Sequence, residues 1–290
     1  MTAEVGARGR LRPLATGIAN VPGWGVRTIS LVALVLLWQI GADAAHSVFF
    51  PTPAAVAQAA WKLAWNDKHS VNEVFRAALA VQVDFATSRL GDLPFHIIVT
   101  FIRATIAFVI AMLAGSVLGV VLGRYPTVNR LLDSWVLLGL NMPALVIAIL
   151  CYIYLGLNTW ALIVAVAINK IPLVAVTMRE GASAIEPDLM QVGRAFRLPR
   201  LVMLRRVFLP QLYPYLMASA RTGLALVWKI VLVFELLGFS NGVGFVLQLN
   251  WQLGNVDRLL AYAIGFIIVI MAIEALITRP LERRATRWRL

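Results

Sequence analysis

Long runs of apolar residues alternate with short polar stretches along most of this chain. About 20 apolar residues in helical form are enough to cross the hydrocarbon core of a bilayer. The pattern predicts six spans, at about residues 26–44, 95–123, 131–155, 158–178, 211–238 and 257–279. Because the alternating pattern of a transmembrane β-strand is absent, these spans are expected to be helices. The sequence therefore predicts an all-α membrane protein.

The region between the first two spans has helical periodicity that charged residues interrupt. The sequence PTPAAVAQAAWKLAW (51–65) predicts a helix with Trp61 and Trp65 on adjacent turns. A second helix is predicted within residues 71–90, where apolar positions recur at the spacing of one helix face. Neither segment is a clean span, so both are expected to lie at the membrane interface.

Four regions follow from this pattern. Residues 1–25 form a basic tail, and residues 26–94 hold the first span and the interfacial helices. Residues 95–280 hold the other five spans and a long loop at 180–210, and residues 281–290 form a second basic tail. The first apolar run is too long for the core of a signal peptide, so it is expected to be retained as a span.

Positive charge is unevenly distributed between the two sides of the predicted membrane. The chain has 26 Lys and Arg against 14 Asp and Glu, a formal charge of +12. With the N-terminus inside, the inner segments hold most of the arginines, which places both termini and the 180–210 loop in the cytoplasm. We therefore expect the charge to face membrane lipid rather than nucleic acid. One cysteine, Cys151, and three scattered histidines predict no disulfide and no metal site.

The loop contains the basic stretch QVGRAFRLPRLVMLRRVFLPQLYP, residues 191–214. A short helix is predicted from Pro187 to about Arg197, because Pro and acidic residues suit a first turn. Leu198-Pro199 should end it, and a second helix should start near Pro199 or Arg200. The apolar side of the first helix consists of Leu189, Val192 and Phe196. Two interpretations stay open on these residues: a positively charged anchor at the membrane surface, or a docking helix for a cytoplasmic partner.

This stretch resembles the cytoplasmic "EAA" loop of permease subunits in binding-protein-dependent ABC importers. The family pattern is Glu-Ala-Ala, three residues, Gly, nine residues, Ile, any residue and Leu-Pro. The spacing matches from Gln191 to Leu209-Pro210, with Gln191, Gly193 and Arg197 departing from the pattern. A second segment, residues 221–247, resembles the fifth span of the nitrate/sulfonate/taurine-type branch through Arg221, Trp228, Glu235-Leu236, Gly242 and Gly244. The sequence FFPTPAAV (49–56) also resembles the segment after the first span in that branch. Residues 66–93 are expected to be an insertion relative to the usual pattern of the branch.

The resemblance implies the type I ABC importer permease fold in a bacterial inner membrane. It implies a pathway built by two copies of the permease, two ATPase subunits and an extracytoplasmic solute-binding protein. This chain has no phosphate-binding GxxxxGK[ST] loop, so ATP and Mg²⁺ are expected on the partner ATPase, with no cofactor and no catalytic site on this chain. The residues expected to couple to the ATPase are Glu186, Asp188, Leu189, Gln191, Gly193, Arg194, Phe196, Arg197 and Arg200.

Polar residues inside the spans are candidates for the transport pathway, because a charge in the bilayer is costly unless it faces a cavity or a partner. Arg221, Trp228 and Glu235 are spaced by seven residues and should share one helix face. Lys229 lies beside that face, and we expect it with Arg221 to favour an anion; alternatively, Lys229 snorkels or pairs with a neighbouring helix. Asn141 is a further pathway candidate, although an Asn in a span more often joins two helices.

Two other functions are weighed against an importer permease. A secondary transporter or channel without an ATPase should carry an inverted repeat or a proton-relay acid in mid-span, and no repeat is visible. An intramembrane enzyme should carry a nucleophile with a base, or a metal constellation, within the spans. The small solute implied by the resemblance is anionic or zwitterionic, of the nitrate, sulfonate or taurine type.

Overall fold

The computed structural model describes residues 23–47, 49–65, 69–79, 89–278 and 280. Most of the predicted N-terminal tail, the C-terminal tail and parts of the 66–93 insertion lie outside these residues. The described chain is helical apart from one short strand pair. Its spans are close to the predicted ones, which confirms the all-α membrane fold.

The first helix and the insertion form the periphery of the fold. Helix α1 covers Gly23–Ala45, and α2 covers Pro53–Trp65. They are followed by β1 (His69–Ser70), α3 (Val71–Leu79) and β2 (Arg89–Leu90), with β1 and β2 paired antiparallel. Little of α1 is buried, so its exposed apolar residues leave it as a peripheral span.

Helix α2 lies where the sequence predicted it. Pro53 opens the helix, and the Thr52 hydroxyl accepts a hydrogen bond from the Ala55 amide at 3.3 Å. The rings of Trp61 and Trp65 lie 5.6 Å apart on adjacent turns. Val56, Ala59 and Leu63 of α2 are buried in a cluster with Ala261 and Tyr262 of the last span, so apolar packing holds α2 in place.

The remaining spans are single long helices, except that two shorter helices, Pro126–Asn141 and Ala144–Leu155, form one bent span together. They are α4 (Asp92–Arg124), α5 (Pro126–Asn141), α6 (Ala144–Leu155), α7 (Thr159–Ser183), α10 (Leu209–Leu236) and α12 (Val256–Ile273), with π-helical residues Glu274–Thr278 after α12. Between α7 and α10 lie α8 (Pro187–Ala195), α9 (Arg200–Met203) and a π-helical turn, Leu204–Phe208; α11 (Val243–Gln252) lies between α10 and α12.

The predicted third span, residues 131–155, is not one helix. Helices α5 and α6 meet at an angle of 99°. Met142 has φ −67° and ψ 124°, an extended conformation. The residue before a proline is pushed out of the helical region by the proline ring, and Pro143 also has no amide to donate. The sequence prediction was therefore wrong about the continuity of this span, which bends sharply at Met142-Pro143.

Helices α4 and α7 form the centre of the fold, and glycine allows them to approach closely. Gly115, Gly119 and Gly123 recur every four residues along α4 and face α7. A Cβ on Gly115 would lie 2.6 Å from the Cβ of Val174, and one on Gly123 would lie 2.7 Å from the Cβ of Ala182. Because lipid supplies no hydrophobic force between spans, such close backbone packing is a main source of helix association.

Candidate functional site

The predicted coupling loop folds as a short helix followed by a tight turn. Glu186 precedes α8, and Pro187 occupies its first turn. After Ala195 the chain reverses: the amide of Leu198 donates to the carbonyl of Gly193 at 3.0 Å, and Arg197 has φ +49°. This is the left-handed position of a helix C-terminus, where glycine is preferred. The family pattern has Gly at this position, and the turn is retained here with Arg197 in its place.

The apolar side of α8 is exposed. Leu189 is 45% exposed, Val192 53% and Phe196 76%. These side chains border a groove of about 580 Å³, whose lining also includes Leu198, Val207 and Pro210. Gly193, one turn after Leu189, also lines the groove and is buried, since a Cβ on Gly193 would lie 2.6 Å from the Met203 side chain. We call the exposed side chains of Leu189, Val192 and Phe196, with this groove, the α8 surface.

The α8 surface is tied to the spans beneath it. The amide of Glu186 donates to Gln211 Oε1 at 3.0 Å, and Gln211 Nε2 donates to the Val207 carbonyl at 2.9 Å. Phe208 and Leu212 are buried in an apolar cluster that α7 shares. The helical backbone then runs from Arg200 through the π-helical turn to Leu236. The start of α8 is therefore connected by hydrogen bonds to α10, and the segment after it packs on α7.

The predicted pathway residues separate into exposed and buried sets. Arg221 and Lys229 are exposed on α10, and Asn141 is exposed at the break after α5, where its Nδ2 donates to the Leu137 carbonyl at 2.8 Å. Trp228 is buried, with its ring stacked on Phe101. The structure therefore does not bring the five predicted residues together in one site.

Arg221, Lys229 and Trp228 nevertheless border adjoining cavities on the surface between α10 and α12. Arg221, Trp228 and Glu274 line a cavity of about 80 Å³. Trp228 and Lys229 line the next cavity, of about 250 Å³, whose other residues are apolar. Trp228 thus lines both cavities, and each cavity has one of the two cationic side chains in its lining.

Glu235 is placed differently from the prediction. Its side chain is fully buried, and Oε1 accepts from Arg103 Nη1 at 2.9 Å. Its Oε2 accepts from the Thr100 hydroxyl at 2.8 Å and from the Gly244 amide at 3.0 Å. The expectation that Glu235 faces a pathway does not fit this placement, because no part of the carboxylate is exposed.

Arg103 is the centre of this buried network and was missed in the sequence. Besides Glu235 it donates to the Asn241 carbonyl at 3.1 Å, to the Asn241 side chain and to the Ala77 carbonyl at 2.7 Å. It also donates to Thr159 Oγ1 at 3.3 Å. One guanidinium thus joins α3, α4, α7 and the α10–α11 loop. The available signal was an arginine in the middle of an apolar span.

A second polar contact joins the insertion to the start of α4. The two ring nitrogens of His69 lie 3.0 Å from Glu73 Oε2 and 2.5 Å from Asp92 Oδ1. Partial burial lowers the pKa of His69, but its hydrogen bonds and charge interactions with Asp92 and Glu73 outweigh this and raise the pKa above its ordinary value of 6.5. The imidazolium form is therefore favoured at this contact.

A protein family described as "Binding-protein-dependent transport system inner membrane component" matches residues 111–286. This range covers more than half of the chain and includes the α8 surface, all of α10 and Glu235. The chain belongs to this family. The predicted resemblance to importer permeases is thereby confirmed, as is the placement of this permease in the bacterial inner membrane with several spans.

Individual relatives agree with the predicted branch. The permease is 27% identical over 193 residues to the taurine transport system permease protein TauC of Escherichia coli (strain K12), covering 67% of this chain and 70% of the relative. It is 23% identical over 199 residues to SsuC of Bacillus subtilis (strain 168), named for aliphatic sulfonates transport, covering 69% and 72%. The nitrate import permease protein NrtB of Leptolyngbya laminosa is 22% identical over 175 residues, covering 60% of this chain and 63% of NrtB.

Solved structures support the fold of the permease. A crystal structure of an amino acid ABC transporter superposes with a TM-score of 0.55 at 18% identity, covering 66% of this chain and 93% of that chain. An inward-facing conformation of the MetNI methionine ABC transporter gives a TM-score of 0.53 at 20% identity, covering 68% and 95%. At these identities the likeness concerns the fold, which is that of ABC importer permeases.

Proposed function

We propose that this permease subunit couples to a separate ATPase through the α8 surface and forms, with a second copy, the pathway for a small anionic or zwitterionic solute. An extracytoplasmic binding protein delivers the solute in this proposal, and ATP and Mg²⁺ bind to the ATPase. The predicted docking residues are Glu186, immediately before α8, residues of α8 and its C-terminal turn, and Arg200 at the start of α9.

The observation that carries the proposal is the exposure of Phe196. At 76% exposure it is a large aromatic side chain at the rim of an apolar groove, with Arg194 and Arg200 exposed nearby in the chain. Aromatic residues with arginines around them are the usual anchors of protein interfaces. A loop that only anchors positive charge at a membrane does not require an ordered helix, a buried glycine contact and a shaped groove.

The solute class rests on the relatives. Their names assign them to taurine, aliphatic sulfonates and nitrate, and each of these solutes has an anionic group. The cationic residues Arg221 and Lys229 on the surface between α10 and α12 are consistent with such a solute. An ATPase-independent transporter or channel is the alternative that the following experiment separates.

The test is co-purification from native membranes. The tagged permease is extracted in mild detergent, and the ATPase partner is identified and quantified. Phe196→Asp should reduce the bound ATPase by at least about tenfold, because losing one aromatic anchor costs about 2 kcal/mol or more. Arg200→Asp should weaken binding further by reversing a rim charge.

Phe49→Asp is the matched control, since Phe49 is 73% exposed but lies between α1 and α2. It should leave ATPase binding unchanged. An equal loss in both aspartate variants would mean general destabilisation, and the α8 surface would lose its assignment. A purified permease without any P-loop ATPase, in several mild detergents, would favour the ATPase-independent transporter.

A further inference from the structure

Lys229 is a charged residue on an apolar surface. It is exposed on α10, and the other residues of its cavity are apolar, including Leu232, Phe266 and Ile267. Within the part of the chain that the structure describes, its ammonium group makes no ion pair and no hydrogen bond. A lysine in the middle of a span that faced lipid would cost about 2.5–3.5 kcal/mol. The exposure of Lys229 therefore requires a polar environment outside this protomer's own packing.

The position of Lys229 along α10 argues against an escape to the membrane surface. It lies seven residues before Leu236, the end of α10, or about 10 Å along the axis. The opposite end, Leu209, is 20 residues away, or about 30 Å. Side chains on a helix lean towards its N-terminus, so Lys229 points away from the nearer end. Neither end lies within easy reach of the ammonium group.

The acids on neighbouring elements do not neutralise Lys229. Glu235, on the same helix, is fully buried and paired with Arg103. On α12 and its extension, Asp257 lies in the first turn, and Glu274 borders the adjoining cavity together with Arg221. The two cavities therefore contain two cations and one carboxylate, and the cavity of Lys229 contains no carboxylate.

We propose that Lys229 is an anion-binding residue of the transport pathway, which receives the negatively charged group of the solute at the surface between α10 and α12. The inference rests on the proposed function for the solute class. Arg221 lies eight residues, or about 12 Å, further from the Leu236 end and provides a second cation along the same surface. An ammonium group is suited to this role because it attracts an anion without the rigid two-point geometry of an arginine.

The test measures the local charge preference and does not require the natural solute. Cys151, the single cysteine of the chain, is replaced by serine, and Ala225 by cysteine. Ala225 is exposed in the same cavity, one helical turn from Lys229. The full chain is placed in neutral phosphatidylcholine liposomes, which contain no anionic headgroup. The thiol is then treated with a small anionic sulfonate reagent, methanethiosulfonate ethylsulfonate, or with its cationic trimethylammonium counterpart.

The ratio of anionic to cationic reaction rates should fall by about tenfold in Lys229→Met, because a unit charge about 7 Å away acts on the two reagents with opposite sign. Lys229→Arg should preserve the ratio and so control for packing. Either of two results would overturn the proposal: a thiol at position 225 that neither reagent reaches from water, or a ratio that Lys229→Met leaves unchanged. An effect that arises only after anionic lipid is added would assign Lys229 to a lipid headgroup and also reject the proposal.

The same variants separate this inference from the proposed function. Lys229→Met should keep the ATPase bound in the co-purification experiment, since Lys229 lies about 40 Å along the helix from Arg200. If the unsubstituted permease binds no ATPase, only the coupling proposal is rejected. The labelling ratio is measured without the ATPase and still tests Lys229.

Discussion

The buried pair of Arg103 and Glu235 should be a principal source of stability in this permease. The two side chains are 1% and 0% exposed, and their charged atoms lie 2.9 Å apart. Replacing either residue by methionine leaves the other charge buried without its counter-ion, a change that typically costs about 3–5 kcal/mol. We expect Arg103→Met to lie at the upper end, because it also removes the hydrogen bonds to Ala77, Thr159 and Asn241.

The double substitution separates the ion pair from its surroundings. In Arg103→Met/Glu235→Met neither charge remains, so the destabilisation should be about 2–3 kcal/mol smaller than the sum of the two single changes. The double variant should still be less stable than the unsubstituted permease, because Thr100 and the Gly244 amide also lose their acceptor. The free energies of unfolding are measured by titrating folded protein in mixed micelles with a denaturing detergent.

The pair of Arg179 and Asp133 provides the matched control. Its atoms lie 2.5 Å apart, but the side chains are 24% and 57% exposed. The same methionine cycle there should give a coupling below about 1 kcal/mol, since solvent screens exposed pairs. Equal coupling in the two cycles, or single changes at Arg103 and Glu235 that each cost less than about 1 kcal/mol, would refute the assignment of a buried structural pair.

Two further predictions concern packing and pH. Gly119→Leu should destabilise the fold by at least about 2 kcal/mol, because the new side chain would meet the backbone of α7. Ala114→Leu, on the exposed side of α4, is the control and should have little effect. The two variants are compared by thermal unfolding. His69 has a raised pKa, so its stabilising contact with Asp92 and Glu73 should be complete below pH 6.5 and be lost as pH rises through the raised value. The difference in melting temperature between the unsubstituted permease and His69→Gln should therefore be larger at pH 6 than at pH 9, and a constant difference would contradict the contact.

Local signals in the sequence predicted the spans and the α8 segment well. A run of 20 apolar residues has one stable solution in a bilayer, so the long helices follow directly from it. The predicted helix from Pro187 to about Arg197 is observed as Pro187–Ala195, because the first-turn proline and Pro199 act within a few residues of themselves. The break at Met142-Pro143 was not predicted within the span 131–155, and its 99° angle depends on how α5 and α6 pack.

The polar core could not be predicted in the same way. Arg103 and Glu235 are 132 residues apart, and periodicity along one helix contains no information about which distant residue a charge meets. The sequence predicted only that Glu235 shares one helix face with Arg221 and Trp228. The insertion joins the same network through the Ala77 carbonyl. Every residue has a backbone carbonyl, so the residue type at position 77 cannot predict this hydrogen bond.

The geometry of α10 constrains how movement at the α8 surface could reach the cations. The helical segment from Arg200 to Leu236 has 37 residues, about 55 Å, with the Arg103–Glu235 pair near its far end. Its π-helical turn and prolines lie at residues 204–214, so bending is easiest near α8. If the ion pair acts as the pivot, the displacement of each residue grows with its distance from Glu235. Arg221 is about 21 Å from that pivot and Lys229 about 9 Å, so a tilt of α10 moves Arg221 more than twice as far. Lys229 would therefore move less than half as far as Arg221, so the same tilt changes the distance of Arg221 from α12 by more.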